Sequence, residues 1–209
     1  MTVLIDYDAG NLRSVEKALR RLGAEPVITR EPEIILSADH VILPGVGAFK
    51  DCMDKLRAYG LVSVVKECAG KGTPFLGICL GMQLLFEASE EGMEENGGTP
   101  VEGLGLLPGV VRRIPGGEGR KIPHMGWNSL KIAEQSRLFR NIPQESDFYF
   151  VHSFCREAEG LPYEAAETAY GIRVLASVEQ GNLFGTQFHP EKSSAMGLKL
   201  LGNFLEVRG

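Results

Sequence analysis

Pro74-Phe75-Leu76-Gly77-Ile78-Cys79-Leu80-Gly81-Met82-Gln83 is the stretch that decides how this chain folds. An apolar, strand-like run (residues 74–76) enters a glycine-flanked cysteine, and an apolar, helix-like run (residues 80–86) leaves it. The cysteine therefore stands at a strand-to-helix turn. This is the layout of the G-x-S-x-G nucleophile elbow, with sulfur in place of oxygen. Far downstream, His189-Pro190-Glu191 supplies a candidate base and a carboxylate to orient it. Together the two segments suggest a cysteine hydrolase.

Working outward, the first half alternates two periodicities. Residues 3–5, 26–28, 40–43 and 75–78 read as strands. Residues 11–22, 48–59 and 61–69 read as helices, the first with Leu12, Val15, Ala18, Leu19 and Leu22 at helical spacing and Gly23 as its stop. Strands alternating with helices predict parallel βαβ units, whose ligands lie at the carboxyl ends of the strands. Cys79 lies at such an end. The second half differs: residues 110–114, 129–132, 148–153, 164–170, 174–179 and 184–188 are strand-like, and 195–207 closes as a helix. The expected architecture is an α/β three-layer sandwich with a mixed, mostly parallel sheet and antiparallel additions. Residues 90–105 and 115–120 read as surface loops, and no repeat or linker divides residues 1–209, so one domain is expected.

Composition narrows the function classes. The 22 basic and 27 acidic residues give a net charge of -5, which argues against non-specific nucleic-acid binding. No apolar run approaches the roughly 20 residues of a membrane span. The N-terminus meets Asp6 at once and lacks a basic leader, so it reads as a first strand and not a signal peptide. Cys52, Cys68, Cys79 and Cys155 form no CxxC pair, so neither a zinc site nor a disulfide framework is expected. A cytoplasmic protein is the simplest expectation.

Thiolate is the reactive form of cysteine, and an imidazolium or a helix N-terminus favours it. Gly77 and Gly81 permit the sharp turn and close approach of substrate. The Leu80 N–H, next after the cysteine, is a natural oxyanion donor. A second donor is expected from the Pro44-Gly45-Val46-Gly47 turn after a neighbouring strand. Proline holds His189 extended, and residues i and i+2 of an extended chain share a side. Glu191 then reaches one ring nitrogen while the other faces the thiol. Cys52, Cys68 and Cys155 fit buried packing better, as most free cysteines do. His40 begins a core strand, His124 lies in a proline-bounded segment, and His152 ends an apolar strand as a packed or site-lining residue. Gly116-Gly117-Glu118-Gly119 lacks the ending of a phosphate loop and reads as a turn.

The elbow and Phe188-His189-Pro190-Glu191-Lys192-Ser193 resemble the class I, triad-type glutamine amidotransferases. Asp6-Tyr7-Asp8-Ala9-Gly10-Asn11, Pro44 to Gly47, Pro123-His124-Met125-Gly126-Trp127-Asn128 and Tyr149 to Ser153 resemble one branch, the glutaminase subunits of imidazole glycerol phosphate synthase in histidine biosynthesis. The resemblance runs from the first strand to the last helix. It implies hydrolysis of L-glutamine to glutamate and ammonia without metal or organic cofactor. Cys79 would attack, His189 would be acid and base, Glu191 would hold the ring, and the N–H groups of Val46 and Leu80 would hold the oxyanion. Gly47, Gln83 and Glu91 would contact substrate, although for Gln83 and Glu91 plain surface polarity is the competing reading. The resemblance also implies a heterodimer with a (β/α)8-barrel cyclase. The cyclase would use the ammonia to turn PRFAR into imidazole glycerol phosphate and AICAR. Asn11, Trp127, Tyr149 and Lys192 would face that partner, with a core position the competing reading for Trp127. Other readings stay open: a glutaminase for a different ammonia-using synthase, a cysteine peptidase or related α/β hydrolase with a similar elbow, or a non-catalytic scaffold.

Overall fold

The computed structural model describes residues 1–8, 10–117 and 121–209. Its first half runs β1 (Thr2–Ile5), α1 (Leu12–Arg21), β2 (Val27–Thr29), α2 (Pro32–Leu36), β3 (His40–Gly45), α3 (Phe49–Ala58), α4 (Leu61–Gly70), β4 (Phe75–Cys79) and α5 (Leu80–Gln83). There follow β5 (Phe86–Ser89), β6 (Val101–Glu102), β7 (Leu107–Arg113), β8 (His124–Ser129), β9 (Lys131–Ile132), β10 (Asp147–His152) and β11 (Phe154–Cys155). The chain ends with β12 (Glu164–Ala169), β13 (Arg173–Gln180), β14 (Leu183–Thr186), a 3-10 turn (Pro190–Lys192) and α6 (Ser194–Leu205).

The main sheet has eight strands in the order β2-β1-β3-β4-β14-β13-β12-β9. Strands β2 to β14 of that order pair in parallel, and β13, β12 and β9 add on antiparallel. Because successive strand residues point to opposite faces, β1 sends Val3 and Ile5 into one core and Leu4 into the other. The first core is covered by α2, α3 and α4 through Ile35, Phe49, Met53, Leu56, Val64 and Val65. The second is covered by α1 and α6 through Val15, Leu19, Leu200, Leu201 and Phe204. Helices on both faces of one mixed sheet make the expected three-layer α/β sandwich. Among the described residues, no helix is long and apolar enough to cross a membrane.

Several segments depart from their sequence reading. The helix leaving Cys79 stops at Gln83, and Phe86–Ser89 becomes β5. An apolar run of this length suits a buried helix or strand equally, and here Phe86 pairs with Leu107 of β7. The loop over residues 90–105 contains β6, which pairs with β5. Gly103 is needed beside it, since a Cβ there would lie 2.2 Å from the Phe86 carbonyl oxygen. Residues 129–132 break into the end of β8 and a separate β9, with Leu130 buried between them. The short α2 escaped the periodicity, although Pro32 at its first turn is a start signal. Part of the glycine-rich turn, residues 118–120, lies outside the described residues.

Two smaller sheets flank the main one. Strands β8 and β10 form an antiparallel ribbon, with Trp127 opposite Tyr149 and His124 opposite His152. Strands β11, β7, β5 and β6 form the other. The ribbon and the end of β14 converge on the carboxyl end of β4, because the His189 N–H donates to the Tyr149 carbonyl at 2.9 Å.

Candidate active site

Cys79 has φ 55 and ψ -109, a conformation that L-residues adopt only under constraint. The constraint comes from close backbone contact. A Cβ at Gly81 would lie 1.9 Å from the Leu43 carbonyl oxygen, and one at Gly77 would lie 2.6 Å from the Gly81 oxygen. Glycine at both positions is therefore steric necessity. Residues Gly45 and Cys79 are partners in the β3–β4 register, which sets the Val46-Gly47 turn beside the elbow as expected. The Val46 carbonyl accepts from the Cys52 thiol at 3.7 Å, and Gly47 has φ 103. Leu80 opens α5, so its N–H has no acceptor within the helix.

A cleft of about 600 Å³ opens over the sulfur. Val46, Gly47, Leu80, Gln83, Glu91 and Lys192 line it with Cys79 and His189, and the opposite wall is Val151 to Phe154. Glu191 stands behind His189: its Oε1 lies 2.8 Å from His189 Nδ1, with both side chains buried. The ring therefore carries a proton on Nδ1, and Nε2, which meets no nitrogen or oxygen partner, is left for the sulfur. Burial pushes the His189 pKa down, but hydrogen bonding with Cys79 and Glu191 outweighs it and raises the pKa to about 9. The arrangement suits a base that takes a proton from sulfur and returns it to a leaving group.

The remaining expected residues divide. Asn11 donates its side-chain amide to Glu191 Oε1, so that amide supports the carboxylate. Trp127 is 53% exposed and packs edge-on against Tyr149, with ring centroids 6.0 Å apart. A core position for Trp127 is thereby ruled out. Glu91 accepts the Phe49 N–H at 3.0 Å, and burial raises its pKa. Gln83 is buried, and its amide N–H groups point to the Phe154 carbonyl at 2.8 Å and Gln187 Oε1 at 3.0 Å. Cys52, Cys68 and Cys155 are buried in cores, and burial raises the Cys155 pKa to about 12.

Sequence reasoning missed Gln187 altogether. It is fully buried, and its amide nitrogen lies 3.8 Å from Cys79 Sγ. Its place two residues before His189, on the same side of an extended chain, was the available signal. Ser153 and Phe154 were missed as lining residues. They follow the apolar β10 strand, and a turn after a strand carries little local pattern. Among the described residues, no group of His, Cys, Asp and Glu could hold a metal ion.

This geometry can be set beside that of known proteins. The family model for class-I glutamine amidotransferases matches residues 3–207. The chain is 51% identical over 204 residues to a protein of Moorella thermoacetica named imidazole glycerol phosphate synthase subunit HisH, covering 98% of this chain and 93% of that one. It is 49% identical to the protein of that name from Geobacillus sp. (strain WCH70), covering 99% and 97%. Among solved structures, a glutamine amidotransferase aligns with TM-score 0.72 at 24% identity over 98% of this chain and 97% of the other. A chain of PurLQS from Thermotoga maritima aligns with TM-score 0.69 at 20% identity, covering 98% and 96%. Those two likenesses concern the fold, whereas the sequence matches reach further: the chain belongs to the class-I glutamine amidotransferase family, in the branch of the imidazole glycerol phosphate synthase HisH subunits.

Proposed function

We propose that this chain, acting as one domain over residues 1–209, hydrolyses L-glutamine to glutamate and ammonia. The observation that carries the reading is the buried His189–Glu191 pair behind a glycine-framed Cys79 in one cleft. Sulfur, its proton already passed to His189 Nε2, attacks the side-chain amide carbon. The carbonyl becomes an oxyanion, held by the N–H groups of Leu80 and the Val46-Gly47 turn. As the C–N bond breaks, His189 returns its proton to the departing nitrogen, giving ammonia and a thioester. Water, deprotonated by His189, attacks the thioester; the C–S bond breaks, and sulfur recovers its proton as glutamate leaves. Glu191 holds the ring in the tautomer both halves need, with Asn11 behind it. Gly47, Gln83 and Glu91 are the proposed substrate neighbours.

The ammonia is proposed to pass to a (β/α)8-barrel cyclase bound as a heterodimer, in the cytoplasm. There it would react with PRFAR to give imidazole glycerol phosphate and AICAR. Trp127, Tyr149 and Lys192 are the proposed contacts, since an exposed aromatic pair suits an interface. The isolated chain should be a slow glutaminase that the cyclase accelerates. Glutamate release with and without the cyclase and PRFAR tests this. Equal rates would overturn the regulatory part, and no glutamate release under any condition would overturn the whole.

A further inference from the structure

Buried polar groups need partners, and beneath the β8–β10 ribbon those partners form a continuous line. The Asn128 Oδ1 accepts the Ser129 N–H at 3.0 Å, which fixes Nδ2 as the donor end of that amide. Nδ2 reaches the Ala169 carbonyl at 3.0 Å and His124 Nε2 at 3.3 Å. His124 Nε2 is thus an acceptor, and its ring proton sits on Nδ1, 3.0 Å from His152 Nε2. His152 Nε2 must accept in turn, which puts its proton on Nδ1, 3.0 Å from the Phe154 carbonyl. That oxygen can only accept, so the assignment made from one end agrees with the other. Gln83 then donates to the same oxygen and to Gln187 Oε1, and the Gln187 amide nitrogen ends at Cys79 Sγ. His124, His152, Gln83 and Gln187 are all buried.

We propose that His124 and His152 are positioning residues for Cys79: their hydrogen-bond relay fixes the Phe154 carbonyl, the shared acceptor on which the Gln83–Gln187 run that meets the sulfur is anchored. The proposal rests on Cys79 being the nucleophile. A line in which each ring both donates and accepts works only with neutral rings, since an imidazolium has no acceptor. Burial keeps both rings in that form: it lowers the pKa of His124 to about 4 and is the largest cause lowering that of His152 to about 3. Stacking holds His124 in plane, between Phe150 at 4.6 Å and Tyr170 at 4.0 Å. Removing the His124 donor leaves His152 Nε2 unsatisfied and frees its ring to turn. The Phe154 carbonyl then loses one of its two donors, and the Gln83–Gln187 run loses its fixed anchor.

Two measurements test the relay. Nitrogen-15 NMR of the imidazoles in the full chain at neutral pH should show both His124 and His152 as neutral rings protonated at Nδ1. A ring protonated at Nε2, or at both nitrogens, overturns the proposal, and this readout needs no variant. The second compares H124F, which keeps the stacking and removes the donor, with H124N, whose amide nitrogen replaces Nδ1. Losing a buried partner leaves a polar group unsatisfied, so H124F should slow iodoacetamide alkylation of Cys79 and glutamine turnover roughly tenfold, with KM within about twofold. H124N should stay within about twofold of the parent in both rates. A purely packing role gives the opposite order, with Phe better tolerated than Asn, and that result overturns the relay. If the alkylation order holds while no form releases glutamate, the glutaminase reading fails and the relay stands.

Discussion

The two walls of the cleft carry buried histidines in opposite states. On one side, His189 meets a carboxylate and a thiol and is pushed up to about 9. On the other, His152, also buried, meets another imidazole and a carbonyl and is pushed down to about 3. Burial opposes charge at both sites. What differs is the partner: a carboxylate and a sulfur outweigh desolvation, whereas a neutral ring does not. Burial is the main cause lowering His152, and the positive charge of His189 adds a minor push in the same direction. The molecule thus holds a mobile proton on one wall and a fixed hydrogen-bond direction on the other.

The largest expected effect tests the charged wall directly. C79A should lower glutaminase turnover by at least about 10³-fold, because the covalent route is gone. E191Q should cost roughly 10²–10⁴-fold in turnover by misplacing the Nδ1 proton, as removal of an orienting carboxylate does in other triads. It should also bring the His189 pKa, followed by NMR, below about 9. An unchanged pKa would mean that Glu191 does not set the contrast between the walls. W127A should weaken cyclase binding about 30-fold or more if Trp127 is an anchor, measured by calorimetry. Unchanged affinity would remove the ribbon from the interface.

The smallest effect is in stability. A raised folded pKa, as at His189, stabilises fully below the unfolded value of 6.5 and is lost as pH rises through about 9. Lowered folded pKa values, as at His124 and His152, stabilise above 6.5, and that stability is lost as pH falls from 6.5 towards 4 and 3. Tm should therefore fall on both sides of neutrality. H124N should flatten the acid limb and E191Q the alkaline one, each by roughly 2–4 °C per kcal/mol of linkage removed. Equal flattening of both limbs by either variant would show that the walls are not separate.

How much was legible follows the range of the interactions. The elbow, the parallel strands and H-P-E could be read because their geometry is local: glycines around Cys79, and a His189–Glu191 pair two residues apart. That pair meets through a 3-10 turn over Pro190–Lys192 and not along the extended chain expected. Asn11 was read as a partner contact; that its amide also lies on Glu191, 180 positions away, was not legible. No spacing rule links residues so far apart. The β5 and β6 strands were hidden for a related reason, since they exist only by pairing with β7 and with each other. Gln83 was read as a substrate contact one turn past the nucleophile, with surface polarity as the competing reading; its burial is set by Phe154 and Gln187, which arrive from other elements.

Gly81 limits how this protein could drift. With a Leu43 oxygen 1.9 Å from where its Cβ would stand, every side chain larger than hydrogen forces β3 and α5 apart. Cys79 has no such restriction on its side-chain chemistry, and serine or alanine would occupy the same backbone. A descendant that abandoned catalysis would therefore be free to lose its sulfur long before it lost the glycine after it. In a mutational library the two positions should separate cleanly: 79 tolerant when selection is for folding, 81 intolerant under any selection. The frame of the elbow would outlive its use.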